Sequence, residues 1–175
     1  MQDPEPSPAF VCDAMLGGLA RWLRAAGYDA AWRGDADDWD VIRQAQAEGR
    51  MLLTCDTGIF RIGIVRDGDV PGLLLPIGLG KEQQLAFVLD KLGLSVQPPR
   101  CMACGGALAA VPKDQVRERA PPRTFEWIDR FYECSRCGRL FWQGTHWQRI
   151  ASVLQRALHS PRPKSDASAA KGSNG

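Results

Sequence analysis

Two C-x-x-C pairs constrain the fold of this chain more than any other sequence feature. Cys101 and Cys104 form the first pair, and Cys134 and Cys137 form the second, after a gap of 29 residues. This spacing is typical of a single tetrahedral zinc site. Four thiolates leave no open coordination position, so the pattern predicts a structural Zn²⁺ and places any catalysis elsewhere. Two disulfides, or four unrelated buried thiols, are the alternatives.

The rest of the sequence favours the zinc interpretation. Residues 1–8 are polar and proline-rich, unlike a secretory signal, and no apolar stretch is long enough to span a membrane. We therefore expect no membrane partner and a cytoplasmic location, where thiols stay reduced and available to metal. Residues 160–175 are small and polar, and we expect disorder there and in residues 1–8.

The net charge of +2 conceals an asymmetry between the two halves of the chain. Residues 1–90 carry 14 acidic and 8 basic side chains, whereas residues 91–175 carry 6 acidic and 14 basic ones. A nuclease that collects carboxylates around a metal, joined to a module that grips a polyanion, explains both halves. Ordinary solvated surface charge is the alternative.

Apolar patterns alternate between strand and helix through residue 93, which predicts an α/β fold with a mostly parallel sheet. The predicted strands are 9–12, 28–32, 51–54 and 72–77, and the predicted helices are 16–26, 39–48 and 81–92. We expect this domain to span residues 9–97. A small zinc-ribbon module with a C-terminal helix, 146–159, is expected to occupy residues 98–159.

Aspartates follow two of the predicted strands. Asp13 comes directly after the first strand, and Asp56 follows the strand 51–54. Because ligands of open α/β sheets bind at the carboxyl ends of strands, we expect these carboxylates to converge. A third would come from Asp37, Asp38 or Asp40. Converging carboxylates need a cation such as Mg²⁺ or Mn²⁺, which predicts phosphodiester hydrolysis.

Each of these residues also has a purely structural interpretation. Asp13 is placed to cap the helix that follows it, and Asp56 to close an Asx turn with Gly58. Cys12 and Cys55 precede these aspartates, so strand alternation points them the other way. We interpret both cysteines as small buried hydrophobes.

Several segments together resemble the Mut-seven C-terminal RNase family. Residues 13–29, DAMLGGLARWLRAAGYD, are similar to its opening motif, and Glu48-Gly49-Arg50 with Leu53-Thr54-Cys55-Asp56 is similar to a later one. Both cysteine pairs and the segment 141–147, FWQGTHW, complete the similarity. The resemblance covers roughly residues 9–150, in the right order.

The resemblance implies a PIN-like three-layer nuclease domain fused to a zinc ribbon, with metal-dependent ribonuclease activity. By position, Asp13, Asp38 and Asp56 match the acidic residues that hold Mg²⁺ or Mn²⁺, with Asp37 and Asp40 as alternatives to Asp38. One departure is that Thr57-Gly58 stands where PIN domains often carry a further acidic residue or Asn. The fourth ligand is therefore either missing or supplied differently, with Asp67 and Asp69 as the candidates.

Arginines supply candidate RNA contacts. Under the resemblance, Arg21 and Arg24 lie near the metal and hold phosphates, with a solvated polar face as the alternative. In the ribbon, Arg136 and Arg139 are the leading candidates among a group that also includes Arg117, Arg119, Arg123 and Arg130. Trp127, Phe131 and Trp142 are interleaved with them and would stack on bases, unless they form the core of the ribbon.

The leading hypothesis from the sequence is thus a divalent-metal ribonuclease whose structural zinc ribbon grips RNA. An RNA-binding or regulatory zinc-ribbon protein with a degenerate nuclease site is the main alternative, motivated by Thr57-Gly58. A zinc-stapled protein-interaction domain is a third hypothesis, which the arginine content disfavours.

Overall fold

The computed structural model describes residues 7–159, so the predicted disordered ends lie outside the described residues except for residues 7 and 8. Its first sheet has four parallel strands in the order β2-β1-β3-β4. These strands are β1 (Phe10–Cys12), β2 (Ala30–Trp32), β3 (Met51–Thr54) and β4 (Gly72–Leu74). The predicted α/β fold with a mostly parallel sheet is confirmed. The last strand is shorter than predicted because Pro76 has no N–H to continue the ladder.

Helices connect these strands and cover both faces of the sheet. They are α1 (Gly17–Ala25), α2 (Asp38–Glu48), α3 (Thr57–Arg61), α4 (Gly63–Arg66) and α5 (Lys81–Lys91). Short 3-10 turns occur at Ala14–Leu16 and Lys113–Val116. The two short helices α3 and α4 were not predicted, since neither is long enough to show helical periodicity.

Strand alternation divides the domain into two cores. Phe10, Cys12 and Leu53 point to the face covered by α1 and α5, whereas Val11 and Leu52 point to the face covered by α2, α3 and α4. Successive residues of a strand face opposite ways, so one short apolar run supplies both cores. The result is the three-layer arrangement that the sequence resemblance implied.

The cysteine-containing segment forms a second, antiparallel sheet. Its strands β5 (Leu108–Val111), β6 (Phe131–Cys134) and β7 (Leu140–Trp142) pair in chain order, with α6 (Pro122–Trp127) between the first two. Val116, Ala120 and Phe131 form its small core, against which Trp142 packs. Phe131 is buried there, so of its two predicted roles, stacking on RNA bases or forming the ribbon core, the structure shows the second.

The last helix, α7 (Thr145–His159), returns from the ribbon to the α/β domain. Its buried residues Ile150, Leu154 and Ala157 belong to the same core as Leu85 and Leu89 of α5. The sequence grouped this helix with the ribbon, but its apolar face is buried against the first domain. The ribbon is therefore attached to the α/β domain at both of its ends.

Arg24 joins the two modules from inside the protein. Its Nε donates to the Ala30 carbonyl at 2.7 Å, and its Nη1 donates to the carbonyls of Met102 and Ala103 at 3.2 and 2.9 Å. Burial lowers the pKa of this guanidinium, whose side chain is only 5 % exposed. The prediction that Arg24 holds RNA phosphates is corrected, because the residue is buried and bonded to backbone.

No helix within residues 7–159 is long and apolar enough to cross a membrane.

Gly27→Ala should destabilise the protein where α1 meets the connector to the ribbon. Gly27 has φ +97°, and a Cβ there would lie 2.6 Å from Gln97 Cβ and 2.7 Å from the Pro98 carbonyl oxygen. Backbone strain and overpacking together should lower the free energy of unfolding by about 2–4 kcal/mol. Urea denaturation measures this change.

Gly49→Ala is the matched control, because Gly49 also has a positive φ (+62°) but a Cβ added to it would meet no atom within 4 Å. Its free energy of unfolding should fall by only about 1 kcal/mol. Equal losses in the two variants would contradict a packing role for Gly27.

Candidate functional site

The four ribbon cysteines bring their sulfur atoms together at one point. Cys101 Sγ lies 3.7 Å from Cys137 Sγ, and Cys104 Sγ lies 3.4 Å from Cys134 Sγ. All four sulfurs lie within 4.8 Å of one another. A tetrahedron with Zn–S bonds of about 2.3 Å has edges of about 3.8 Å, so this arrangement fits a Zn²⁺ ion. The four residues are free thiols, not disulfides.

The local backbone prepares this site for metal. The amides of Arg136 and Cys137 point at Cys134 Sγ, at 3.4 and 3.5 Å. Burial raises the pKa of Cys134, but these amide hydrogen bonds, together with hydrogen bonds from the Cys104 and Cys137 thiols, outweigh it and lower the pKa to about 6. Gly106 lies against this thiol, since a Cβ there would be 2.6 Å from Cys134 Sγ. A side chain at residue 106 would therefore displace a ligand.

A second constellation lies at the carboxyl edge of the parallel sheet. Asp13 directly follows β1, and its amide donates to the Leu53 carbonyl of β3 at 3.1 Å. Asp56 follows β3 by two residues. Since β1 and β3 are adjacent parallel strands, both carboxylates lie at the same edge, as the sequence predicted.

The hydroxyl of Thr54 connects these two aspartates. Thr54 Oγ1 donates to Asp13 Oδ2 at 2.5 Å and accepts the Asp56 amide at 2.9 Å. Thr54 is fully buried, so this hydroxyl has no access to water as a competing partner. Sequence reasoning missed this role, although Thr54 stands in the T-x-D motif that identified Asp56.

The two capping interpretations are also confirmed. Asp13 Oδ1 accepts the Met15 amide at 2.9 Å and caps the turn before α1. Asp56 Oδ1 accepts the Gly58 amide at 2.6 Å and caps α3. Asp13 is buried, with 4 % of its surface exposed, whereas Asp56 is exposed to solvent. The hydrogen bonds fix the orientation of both carboxylates and leave Asp56 open to a ligand.

The three candidates for the third carboxylate follow β2, the neighbour of β1 on its other side. Asp37 caps α2 by accepting the Asp40 amide at 2.8 Å, and Asp40 pairs with Arg43 at 2.5 Å. The hydrogen bond from Arg43 lowers the pKa of Asp40. Within residues 7–159, the Asp38 side chain forms no hydrogen bond or ion pair, so it is the one left available.

The aspartates are nevertheless more widely spaced than the cysteines. Among the described residues, only the four cysteines place three or more metal-binding atoms within 4.8 Å of one another. Asp67 and Asp69 do not add to the edge, because both precede β4 and so lie at the opposite, amino end of the strands. The prediction that one of them supplies the fourth ligand is wrong.

Cys12 has no catalytic character in this structure. It is buried in the core between α1 and the sheet, and burial raises the pKa of its thiol far above its ordinary value. Cys55 is half-buried, and burial followed by the nearby Asp13 charge raises its pKa as well. Both thiols stay protonated, in agreement with their interpretation as small hydrophobes.

A cleft of about 1470 Å³ separates the start of α1 from the ribbon. Ala14 and Met15, the residues directly after Asp13, form part of its wall. Of the predicted RNA contacts, Arg21 and Arg139 line this cleft and are exposed. Arg136 is exposed but lies outside the cleft wall, where it donates to the Cys104 carbonyl at 2.7 Å.

Comparison with known proteins agrees with the family resemblance found in the sequence. The family model described as Mut7-C RNAse domain matches residues 8–154. A human protein named Exonuclease mut-7 homolog is 35 % identical over 106 residues, which are 57 % of this chain but only 12 % of that protein. The chain thus spans a small part of that relative. No solved structure matches.

The ribbon should bind one zinc ion per chain. Cys104→Ser removes one of the four thiolates and should abolish stoichiometric zinc, measured by mass spectrometry of the purified protein. The melting temperature should fall, because metal binding supplies folding free energy to such small modules.

Cys55→Ser is the matched control, since its thiol lies outside the cysteine cluster, and it should keep one zinc. A wild-type protein that contains no metal and whose four ribbon cysteines are oxidised to disulfides would contradict the assignment.

Proposed function

Because this chain belongs to the Mut7-C RNAse domain family, we propose that it is a divalent-metal-dependent ribonuclease that hydrolyses RNA phosphodiester bonds. The names of the family and of the human relative both support a nuclease-type function. The observation that carries the metal-dependent mechanism is the Asp13–Thr54–Asp56 arrangement at the carboxyl edge of the sheet.

Asp13, Asp56 and Asp38 are the proposed ligands of a Mg²⁺ or Mn²⁺ ion. Carboxylate oxygens are the donors that these hard cations prefer, and the exposed carboxylates of Asp56 and Asp38 have room for them. When bound, such an ion lowers the pKa of a coordinated water and stabilises charge on a reacting phosphate. Asp37 and Asp40 already have structural partners, which favours Asp38 as the third ligand.

The surrounding protein holds these carboxylates ready for the metal. Thr54 and the Met15 amide occupy different oxygens of Asp13, so its carboxylate cannot rotate without losing a hydrogen bond. Such partners around a ligand usually contribute 10- to 100-fold to metal affinity or activity, by the general rule for outer-shell groups. The proposed role of Thr54 is thus to position Asp13, not to react.

The zinc ribbon is proposed to hold the RNA strand beside this edge. Its four thiolates leave no open position, so a zinc ion there is structural and takes no part in hydrolysis. Arg139 faces the cleft from the ribbon and Arg21 faces it from α1. Contacts to phosphates from arginines are independent of sequence and weaken as salt rises.

A second candidate function is RNA binding by a degenerate nuclease site. Thr57-Gly58 supplies no carboxylate at the edge, and in residues 7–159 no three aspartates bring carboxylate oxygens within 4.8 Å of one another. This alternative expects salt-sensitive RNA binding that does not respond to Mn²⁺, and no cleavage.

Asp13→Asn and Asp56→Asn should each reduce Mn²⁺-dependent cleavage of a labelled single-stranded RNA by at least about 100-fold, because a neutral amide neither attracts the cation nor offsets its charge. The variants should still fold, since the amide oxygen can accept the capping hydrogen bond, and in Asp13→Asn the amide NH₂ can donate to the Thr54 hydroxyl oxygen. Denaturing gels give the rates, and circular dichroism gives the fold.

Asp114→Asn removes an exposed carboxylate from the ribbon and should cleave at the wild-type rate. Wild-type cleavage by Asp13→Asn would sink the assignment. An absence of cleavage in every sample, with RNA still bound, would favour the degenerate site.

Thr54→Val should weaken the apparent affinity for Mn²⁺ by about 10- to 100-fold while the maximal rate changes less, because the orientation of Asp13 is lost but its charge remains. Cleavage rates measured over a range of Mn²⁺ concentrations give the apparent affinity and the maximal rate separately. Thr54→Ser keeps the hydroxyl and should restore the affinity. If Val and Ser variants behave alike, Thr54 has only a packing role.

A further inference from the structure

We propose that the cleft between α1 and the ribbon is a binding site for single-stranded nucleic acid that leads the strand to Asp13, a proposal that rests on the proposed function for its catalytic end. The cleft is defined by walls from the two modules. Ala14, Met15, Arg21 and Trp32 lie on the first wall, and residues of α6, β7 and the start of α7 lie on the other.

The charged side chains that line the cleft are all positive. Five arginines line it, namely Arg21, Arg24, Arg100, Arg123 and Arg139, and none of the described residues in the wall is acidic. This is unusual for a chain with 20 acidic residues and a net charge of only +2. A groove of uniform positive charge with apolar walls concentrates a polyanion.

Three of these arginines are available to phosphates. Arg24 and Arg100 donate to backbone carbonyls inside the protein. By contrast, the side chains of Arg21, Arg123 and Arg139 form no hydrogen bond or ion pair within residues 7–159, and all three are exposed. An exposed guanidinium without a protein partner keeps all five donors for a ligand.

Exposed tryptophans accompany these charges. Trp127 is 79 % exposed, although its indole is a large apolar group, and Arg123 stands four residues before it on the same face of α6. A planar ring next to a free guanidinium offers a base-stacking surface beside a phosphate contact. Nothing in the ribbon core depends on Trp127, so its exposure has no structural explanation.

Trp32 provides a second ring at the catalytic end of the cleft. It ends β2 opposite Cys12, the residue before Asp13, and it is 40 % exposed. Its Nε1 donates to the Ala14 carbonyl at 3.1 Å, and a Cβ on Gly17 would lie 2.6 Å from its ring. The ring is therefore held against the start of α1, and the exposed part of it is accessible from the cleft.

This combination favours a single strand over a duplex. Base faces are buried in a duplex and cannot stack on Trp127 or Trp32, whereas the unstacked bases of a single strand can. A volume of about 1470 Å³ is large for a small molecule but ordinary for several nucleotides. A protein partner does not require three unpaired, exposed arginines in a wall that has no acidic side chain.

Fluorescence anisotropy with a labelled 12-nucleotide oligouridine tests this site without cleavage in a buffer with no added Mg²⁺ or Mn²⁺ and no chelator, because a chelator would remove zinc from the ribbon. Trp127→Ala should weaken binding by about 5- to 150-fold, the range for losing one stacking platform. Arg123→Gln/Arg139→Gln should weaken binding and lower the slope of log K against log salt by about 1.4, as expected for two lost phosphate contacts on a single strand.

Two controls match these variants. Trp39→Ala removes an exposed tryptophan from α2, on the opposite face of the sheet, and Arg61→Gln removes an exposed arginine that is absent from the cleft wall. Both should bind as the wild type does. The same oligonucleotide annealed to its complement should bind at least about 10-fold more weakly. A parallel measurement with oligothymidine shows whether the cleft distinguishes RNA from DNA.

Wild-type affinity in Trp127→Ala and in the double arginine variant would overturn the proposal, as would equal affinity for the duplex. Failure of wild-type protein to bind any oligonucleotide at low salt would do the same and would leave the cleft to a protein partner. Because no catalytic metal is supplied in this assay, binding that depends on Trp127 supports the cleft even if no cleavage is ever observed.

Discussion

The parallel pairing of β1 with β3 is the interaction on which the rest of the structure depends. Its register, with Cys12 opposite Leu53, sends Phe10 and Leu53 into one core and Val11 and Leu52 into the other. A slip of one residue would exchange these faces and bury each side chain in the wrong layer. The same register places Asp13 and Asp56 at one edge, so the packing of two cores fixes the candidate site.

Arg24 extends this order to the ribbon. The guanidinium donates to the carbonyl of Ala30, the first residue of β2, and to the carbonyls of Met102 and Ala103, which lie between the cysteines of the first pair. A buried cation that lost these acceptors would be left desolvated, which is costly. Arg24 therefore connects the cysteine cluster to α1 and to the wall of the cleft. Helix α7 makes a second connection, because its apolar face packs into the core of the α/β domain.

Much of this arrangement could be predicted from the sequence, because the strands and the cysteine cluster depend on patterns of residues that are close together in the chain. The apolar runs before Asp13 and Asp56 identified both strands, and the cysteine spacing identified the cluster that the structure brings together. The hydrogen bond from Thr54 to Asp13 and the burial of the Arg24 side chain could not be predicted. Each depends on contacts with residues that are distant in the chain. Asp67 was misplaced although it precedes the predicted strand 72–77, a position that in a parallel sheet already puts it at the amino end.

The most direct test of a metal-dependent site is anomalous diffraction from crystals soaked in Mn²⁺. The account predicts a manganese peak about 2 Å from carboxylate oxygens of Asp13 and Asp56, close to Asp38, and separate from the zinc peak at the four cysteines. A second structure of Asp13→Asn should lose this peak alone. Manganese bound only elsewhere, or nowhere, at millimolar concentration would contradict the central claim.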